Sequence, residues 1–526
     1  MRTSRIAGAA LAAALALTAC QGKPARDAGP TATPTTPATT ATGTATTPVP
    51  SASPTAADPE ATIARYAADP PRWTGCGDGF ECARLTVPLD YAKPAGGDMQ
   101  VALIRLKARQ KSKRIGSVVL NPGGPGGSGV EFARQAEQLL PGEILDRFDV
   151  VSFDPRGVGE STPVDCLDDA QLDRLVHADP TPDTPAERAA LFRLSREEAA
   201  ACQAKSGRLL PHLGTVDTAK DMEVLRRVLG DDKLTYVGFS YGTVLGARYA
   251  EQFPSRVRAL VLDGALDPTL SASEVSAAQA EGFDRALTQF LNDCRSRSCA
   301  FARHGDPFAT FDTLVARADS RPLTASRYPD RLAGQSEVLF GTAAALYSPE
   351  YGWPALRDAL EAAWTQHDAS GLLALFDNLV ERDQNGHFSN SLESQAAISC
   401  VDGVYPKDEA AYDADAKAFA KRAPRFGPAI AYGPVACAYW PVPPVSRPGP
   451  ARAPGAPPIL VVGTTRDPAT PYAWSVALAE QLRGALLTHV GDGHTAYGYG
   501  RDACVDRIVD AYLISLTVPK AGARCA

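Results

Sequence analysis

Three residues stand where an apolar run gives way to a polar, glycine-bearing turn, and their types could together break an acyl bond. Ser240 lies in "TYVGFSYGT", between Gly238 and Gly242. A serine hydroxyl is a weak nucleophile at neutral pH, so it needs a base to take its proton and an acid to orient that base. Asp467, in "VVGTTRDPATP", and His494, in "THVGDGHTAY", follow in the order Ser, Asp, His, each directly after an apolar segment. Glycines two residues to either side of the serine suit a strained strand-to-helix turn, where side chains would collide with the backbone. Chance offers a rival reading of the pentapeptide, since the chain holds 44 glycines.

The remaining candidates are weaker. Of the seven histidines, His177, His212, His304, His367 and His387 fall in helical or cap-like segments, and His489 lies within a strand pattern. Asp492 is the rival acid, but two residues from His494 is awkward geometry for bracing the ring. Acyl transfer also needs donors for the oxyanion in place beforehand. The backbone N–H of Tyr241 follows the nucleophile, and the loop "NPGGPGGSG" at 121–129 supplies the second, assigned to Gly124. That loop lacks the Gly-Lys-Ser/Thr ending of a phosphate cradle and does not match the dinucleotide spacing. No metal or organic cofactor is called for, and neither Cys-x-x-Cys nor His-x-x-x-His spacing occurs.

The elements that must position these residues read as alternating strands and helices. "ARLTVPLDY" and "MQVALIRLKA" flank a turn-like "AKPAGGD" and predict an antiparallel hairpin. "SVVLN", "FDVVSF", "KLTYVGF", "VRALVLD", "PPILVVG" and "ALLTHVG" are apolar runs of buried-strand length. Separated by helices, they predict a mainly parallel sheet covered on both faces. "TVDTAKDMEVLRRVLG" has helical periodicity, with Asp217 or Thr218 available as its N-cap. Almost two hundred residues separate "LVLDG" from "ILVVG", far more than a crossover requires. Their helical patterns predict an inserted cap, left by the proline-dense return "YWPVPPVSRPGPARAPGAPP".

Length and composition set the frame. With 526 residues, 44% of them hydrophobic, the chain can bury a large core. A formal charge of −7 without a basic stripe argues against nucleic acid. At the N-terminus, Arg2 and Arg5 precede a short apolar run that reads as a signal peptide over 1–19. The run ends in "LTAC", which resembles a bacterial lipobox and marks Cys20 for lipidation; an ordinary secretory signal cleaved nearby is the alternative. A Thr/Pro/Ala-rich tether follows, the anchor and tether together covering 20–60. The expected divisions beyond are a core part at 61–270, a helical cap at 271–430 and a second core part at 431–526. Removing Cys20 from the 11 cysteines leaves ten, and their order suggests 76–82, 166–202, 294–299, 400–437 and 504–525 as pairs in an oxidising compartment.

"NPGGPGGSG", "FDPRGVGES", "GFSYGT", "TRDPATP" and "GDGHTAYG", in this order, resemble the secreted actinobacterial α/β-hydrolase peptidases of the tripeptidyl aminopeptidase and proline iminopeptidase group. The resemblance covers roughly 70–526. Asn121 stands where the iminopeptidases carry histidine, which fits the tripeptidyl branch, as does the segment from about 430. It implies an α/β-hydrolase fold and release of short peptides, of tripeptide length, from free N-termini outside the cell; attachment to the membrane is the separate expectation carried by Cys20. The substrate's α-ammonium then needs a carboxylate, for which Glu337 and Asp402 in the cap are candidates. A carboxylesterase or lipase would use the same three residues, and a non-catalytic surface lipoprotein would need none of them.

Overall fold

The computed structural model describes residues 58–526. The signal segment, Cys20 and the tether as far as residue 57 lie outside the described residues. The tether was expected to reach residue 60, but a helix already begins at Pro59, with Asp58 accepting the N–H of Glu60 as its cap. A proline in the first helical turn supports that start, because its missing N–H is one the helix cannot pair anyway.

A ten-stranded sheet organises the chain in the order β1-β2-β3-β5-β4-β6-β7-β10-β11-β12. The strands β1 (Thr74–Gly75), β2 (Phe80–Pro88) and β3 (Asp98–Leu106) form the antiparallel edge, including the expected hairpin. From β4 (Gly116–Asn121) and β5 (Phe148–Phe153) through β6 (Leu234–Phe239) and β7 (Val257–Asp263) the pairing is parallel. Every residue of β4 and of β6 is buried, as their unbroken apolar runs require of strands covered on both faces. After the cap, which carries a small hairpin of β8 (Leu323–Thr324) and β9 (Leu332–Ala333), the chain returns. It then adds β10 (Leu460–Arg466), β11 (Ala485–Asp492) and β12 (Arg524–Cys525) in parallel.

The helix Thr215–Val228 departs from expectation at its start. Its N-cap is Gly214, not Asp217 or Thr218, and the first N–H, that of Thr215, is held by the Asp402 carboxylate at 3.0 Å. The cap comes from a segment distant in sequence, which no local pattern could disclose.

Apart from the β8–β9 hairpin, the insertion between β7 and β10 is mainly helical, from Ala272–Ser296 to Gly427–Tyr432. It has its own apolar core, built around Phe283, Phe290, Phe311, Leu360 and Leu373. A second helical piece, Asp169–Val176 and Pro185–Ser206, docks onto it from the loop after β5. Arg188 joins the two pieces by pairing with Asp413 at 3.0 Å. All five cysteine pairs suggested by chain order are closed: 76–82, 166–202, 294–299, 400–437 and 504–525.

Candidate active site

Parallel pairing brings the carboxyl ends of β6, β7, β10 and β11 to one edge of the sheet, where open α/β sheets bind their ligands. Phe239 is in register with Asp263, and Arg466 with Asp492, so the residues just beyond these positions face one another. Ser240, Asp467 and His494 are those residues, and all three are buried.

Ser240 caps the helix Tyr241–Gln252 at φ 54° and ψ −124°, a backbone conformation that L-residues rarely adopt. Its N–H donates to the carbonyl of Asp263 at 2.9 Å. Both flanking glycines are required by close approach. A Cβ on Gly238 would lie 2.4 Å from the carbonyl oxygen of Gly242, and one on Gly242 would lie 2.8 Å from Asn121 Oδ1. The loop after β4 presses equally hard from above, since a Cβ on Gly123 would fall 2.9 Å from Ser240 Cβ.

His494 Nδ1 lies 2.9 Å from both carboxylate oxygens of Asp467. That carboxylate is itself fixed by the N–H groups of Ala469 and Thr470, at 2.9 and 2.8 Å, and by the Thr470 hydroxyl at 3.0 Å. Such bracing sets the imidazole tautomer, with the proton on Nδ1 and a lone pair on Nε2. Nε2 is buried and makes no hydrogen bond, so it is free to receive a proton, although the contact to Ser240 Oγ is not closed. Unliganded sites often hold that contact long. The cap contributes Tyr347, which accepts the His494 N–H at 2.9 Å through its carbonyl. Its ring meets the imidazole edge to face, with centroids 5.3 Å apart.

Asp492, the rival acid, instead pairs with Arg466 at 2.6 and 2.8 Å and turns away from the ring. The structure raises a rival that sequence reading missed. Asp263, at the end of β7, is wholly buried and accepts the N–H groups of Ala496 and Tyr497 at 2.9 and 2.8 Å. Burial pushes its pKa up to about 6, and nearby His494 opposes that shift. Asp263 therefore anchors the turn carrying His494, whereas Asp467 holds the ring. His489 is paired with Asp502 at 2.9 Å, outside the constellation.

For the oxyanion, the N–H of Gly123 is already committed to Asn121 Oδ1 at 3.0 Å. Among the described residues, the N–H groups of Tyr241 and Gly124 have no protein acceptor. Gly124, joined to Pro125 by a cis peptide bond, sits one residue beyond the contact with Ser240. One group of metal-ligand types occurs among the described residues, Asp502 with Cys504 and Cys525, but those sulfurs are joined to each other.

A cavity of about 470 Å³ opens beside the constellation, lined by Gly123, Phe239, Tyr347 and His494. Four acids also line it, Glu131, Asp154, Glu160 and Glu381, together with one cation, Arg501. Glu131 and Glu160 are paired with Arg134 and Arg84. Asp154 is saturated by Ser128 and by the N–H groups of Val130 and Glu160. Glu381 has only the hydroxyls of Ser389 and Ser391 as partners. Burial, and to a lesser degree repulsion from Glu131 and Asp154, raises its pKa. Glu337 and Asp402, the cap acids considered as candidates for an ammonium group, do not line this cavity. Glu337 accepts the N–H of Gly334 and faces His177, and Asp402 holds Thr215. No sequence signal separates Glu381 from the other cap acids; only the fold brings it to the cavity.

The family model described as "alpha/beta hydrolase fold" matches residues 116–330, and one described as "TAP-like protein" matches residues 423–525. "Serine protease Hip1" of Mycobacterium tuberculosis is 42% identical over 84% of this chain and 87% of its own. "Carboxylesterase B" of the same organism is 38% identical, over 85% and 86% of the two chains. "Tripeptidyl aminopeptidase" of Streptomyces lividans is 31% identical, over 85% and 83%.

Proposed function

The chain belongs to the tripeptidyl-aminopeptidase-like family of α/β-hydrolases and is a serine hydrolase of peptidase type, and from that premise we propose that it releases short peptides, of tripeptide length, from free N-termini outside the cytoplasm. The observation that carries the reading is the buried Asp467–His494 pair beside the strained Ser240 turn, with a cavity lined in part by four acids next to it. Ser240 Oγ attacks the scissile carbonyl as His494 Nε2 takes its proton. The tetrahedral oxyanion rests on the N–H groups of Tyr241 and Gly124. His494 then protonates the departing amine, and a water, deprotonated by the same nitrogen, releases the acyl group.

Glu381 is assigned the substrate's α-ammonium, because it is the acid of the cavity wall with spare acceptor capacity and no cationic partner. N-acetylating a good peptide substrate should therefore lower kcat/KM by at least about a hundredfold, some 2.7 kcal/mol of transition-state stabilisation. Glu381→Gln should lose a similar factor on the free peptide and little on the acetylated one. Because the Glu381 pKa is raised, the preference for free N-termini should fade as pH drops and the carboxyl takes up a proton. Equal cleavage of blocked and free peptides by the wild type would remove the aminopeptidase reading.

A carboxylesterase is the second reading, favoured by the relative of that name. Parallel assays of a tripeptide p-nitroanilide and a short-chain p-nitrophenyl acyl ester separate the two. The peptide should be preferred by kcat/KM.

Placement outside the cytoplasm is supported by the signal-like N-terminus and by five disulfides, which persist in oxidising compartments. Attachment to the membrane rests on Cys20. Cys20→Ser should shift the protein from the detergent-soluble envelope fraction to the medium, or block its processing. Unchanged partitioning of the variant would show that the thiol carries no anchor.

A further inference from the structure

A second cavity of about 220 Å³ is lined by residues of the helical roof and shares none of them with the cavity beside His494. One face of the helix Ser391–Asp402 forms a wall, and the side chains of Leu191, Phe340, Phe376 and Leu392 make most of the rest apolar. Into this apolar space the helix Pro185–Ser206 places Glu198, which is only 8% exposed.

Among the described residues, nothing pairs with the Glu198 carboxylate. It has no hydrogen-bond donor and no lysine, arginine or histidine partner, and its only charged influence is the like charge of Glu393. Glu393 accepts the N–H groups of Cys166 and Leu167 at 2.7 and 2.6 Å, so it is itself held in place and cannot move off. The cations on the same helix are all engaged elsewhere: Arg188 with Asp413, Arg193 with Glu197, Arg196 with Glu409 and Lys205 with Asp165. Burial, with repulsion from Glu393, pushes the Glu198 pKa up to about 7. A buried carboxylate without a partner is costly, and an arriving cation relieves that cost.

We propose that this cavity is a ligand site for a primary ammonium carried on a compact apolar body, with Glu198 as its counter-ion. A bare metal ion is a poor fit, because hard cations take six or more oxygen ligands and these walls are mostly apolar. The volume suits a small aralkyl amine, since an apolar cavity of about 150 Å³ accommodates benzene. The site stands apart from the triad and does not depend on which bond the enzyme cleaves.

The test is calorimetric titration of the full protein at pH 8 with 2-phenylethylammonium chloride, alongside 2-phenylethanol as its neutral counterpart. The wild type should bind the amine saturably at one site and the alcohol at least tenfold more weakly. Glu198→Gln should weaken the amine by at least tenfold and abolish the rise in Tm that it gives the wild type. Peptidase activity of the variant should stay within twofold, since Glu198 touches neither the triad nor its cavity. Failure of the wild type to saturate, equal binding of amine and alcohol, or undiminished binding by Glu198→Gln would each overturn the proposal.

Discussion

Ser240→Ala should fold as the wild type does and lose a factor on the order of 10⁴ to 10⁶ in kcat on any substrate the enzyme accepts. The alanine keeps the backbone turn but removes the hydroxyl at the tip of the strand-to-helix turn. What survives is the contribution of the oxyanion donors and of binding, which by themselves leave about 10³ to 10⁴ over water in comparable sites. The same position yields a stability prediction of opposite sign. At φ 54° and ψ −124°, both serine and alanine carry backbone strain, whereas glycine does not. Ser240→Gly should therefore be inactive yet more stable than Ser240→Ala, by roughly 1 kcal/mol or more once glycine's added unfolded-state entropy is discounted. Thermal melts and initial rates of the two variants decide both points. Retention of activity within tenfold by Ser240→Ala would move the nucleophile elsewhere.

Strand runs and the order of the three turns were legible because buried parallel strands leave unbroken apolar stretches, and a turn at each carboxyl end has only one edge on which to meet. "SVVLN" and "LTYVGF" could not be half-exposed, and each is wholly buried. The disulfide pairs followed from chain order because each joins neighbouring elements. Illegible were the contacts made across long sequence separations. Tyr347 reaches His494 from the cap, Asp402 caps the helix beginning at Thr215, and Asp263 grips the turn at 496–497. None of these residues carries a local signature. The cap acids show the same limit: Glu337 and Glu381 look alike in sequence, and only helix packing sends one towards His177 and the other into the cavity.

Three aspartates now compete for one role, and their neutral variants should separate by orders of magnitude. Asp467→Asn keeps the shape of the side chain but replaces an acceptor with a group that can donate. The N–H groups of Ala469 and Thr470 already point at Oδ1, so the carbonyl oxygen of the asparagine will stay there and turn its amide towards His494. Nδ1 must then accept, which places the ring proton on Nε2 and leaves no lone pair for the Ser240 hydroxyl. The expected loss in kcat is about 10⁴ at neutral pH. Asp263→Asn retains an acceptor for the N–H groups of Ala496 and Tyr497 and leaves the Nδ1 contact intact, so its loss should be confined to the few-fold to hundredfold range expected of a positioning residue. Asp492→Asn removes only a partly exposed pair with Arg466, worth at most about 1 kcal/mol of stability, and should leave the rate nearly unchanged. Rates of the three variants on one substrate, with circular dichroism to confirm folding, test the ranking. If Asp263→Asn proved the most damaging, the acid would sit at the end of β7, and the Asp467 contact would be a tether for the ring rather than the source of its basicity.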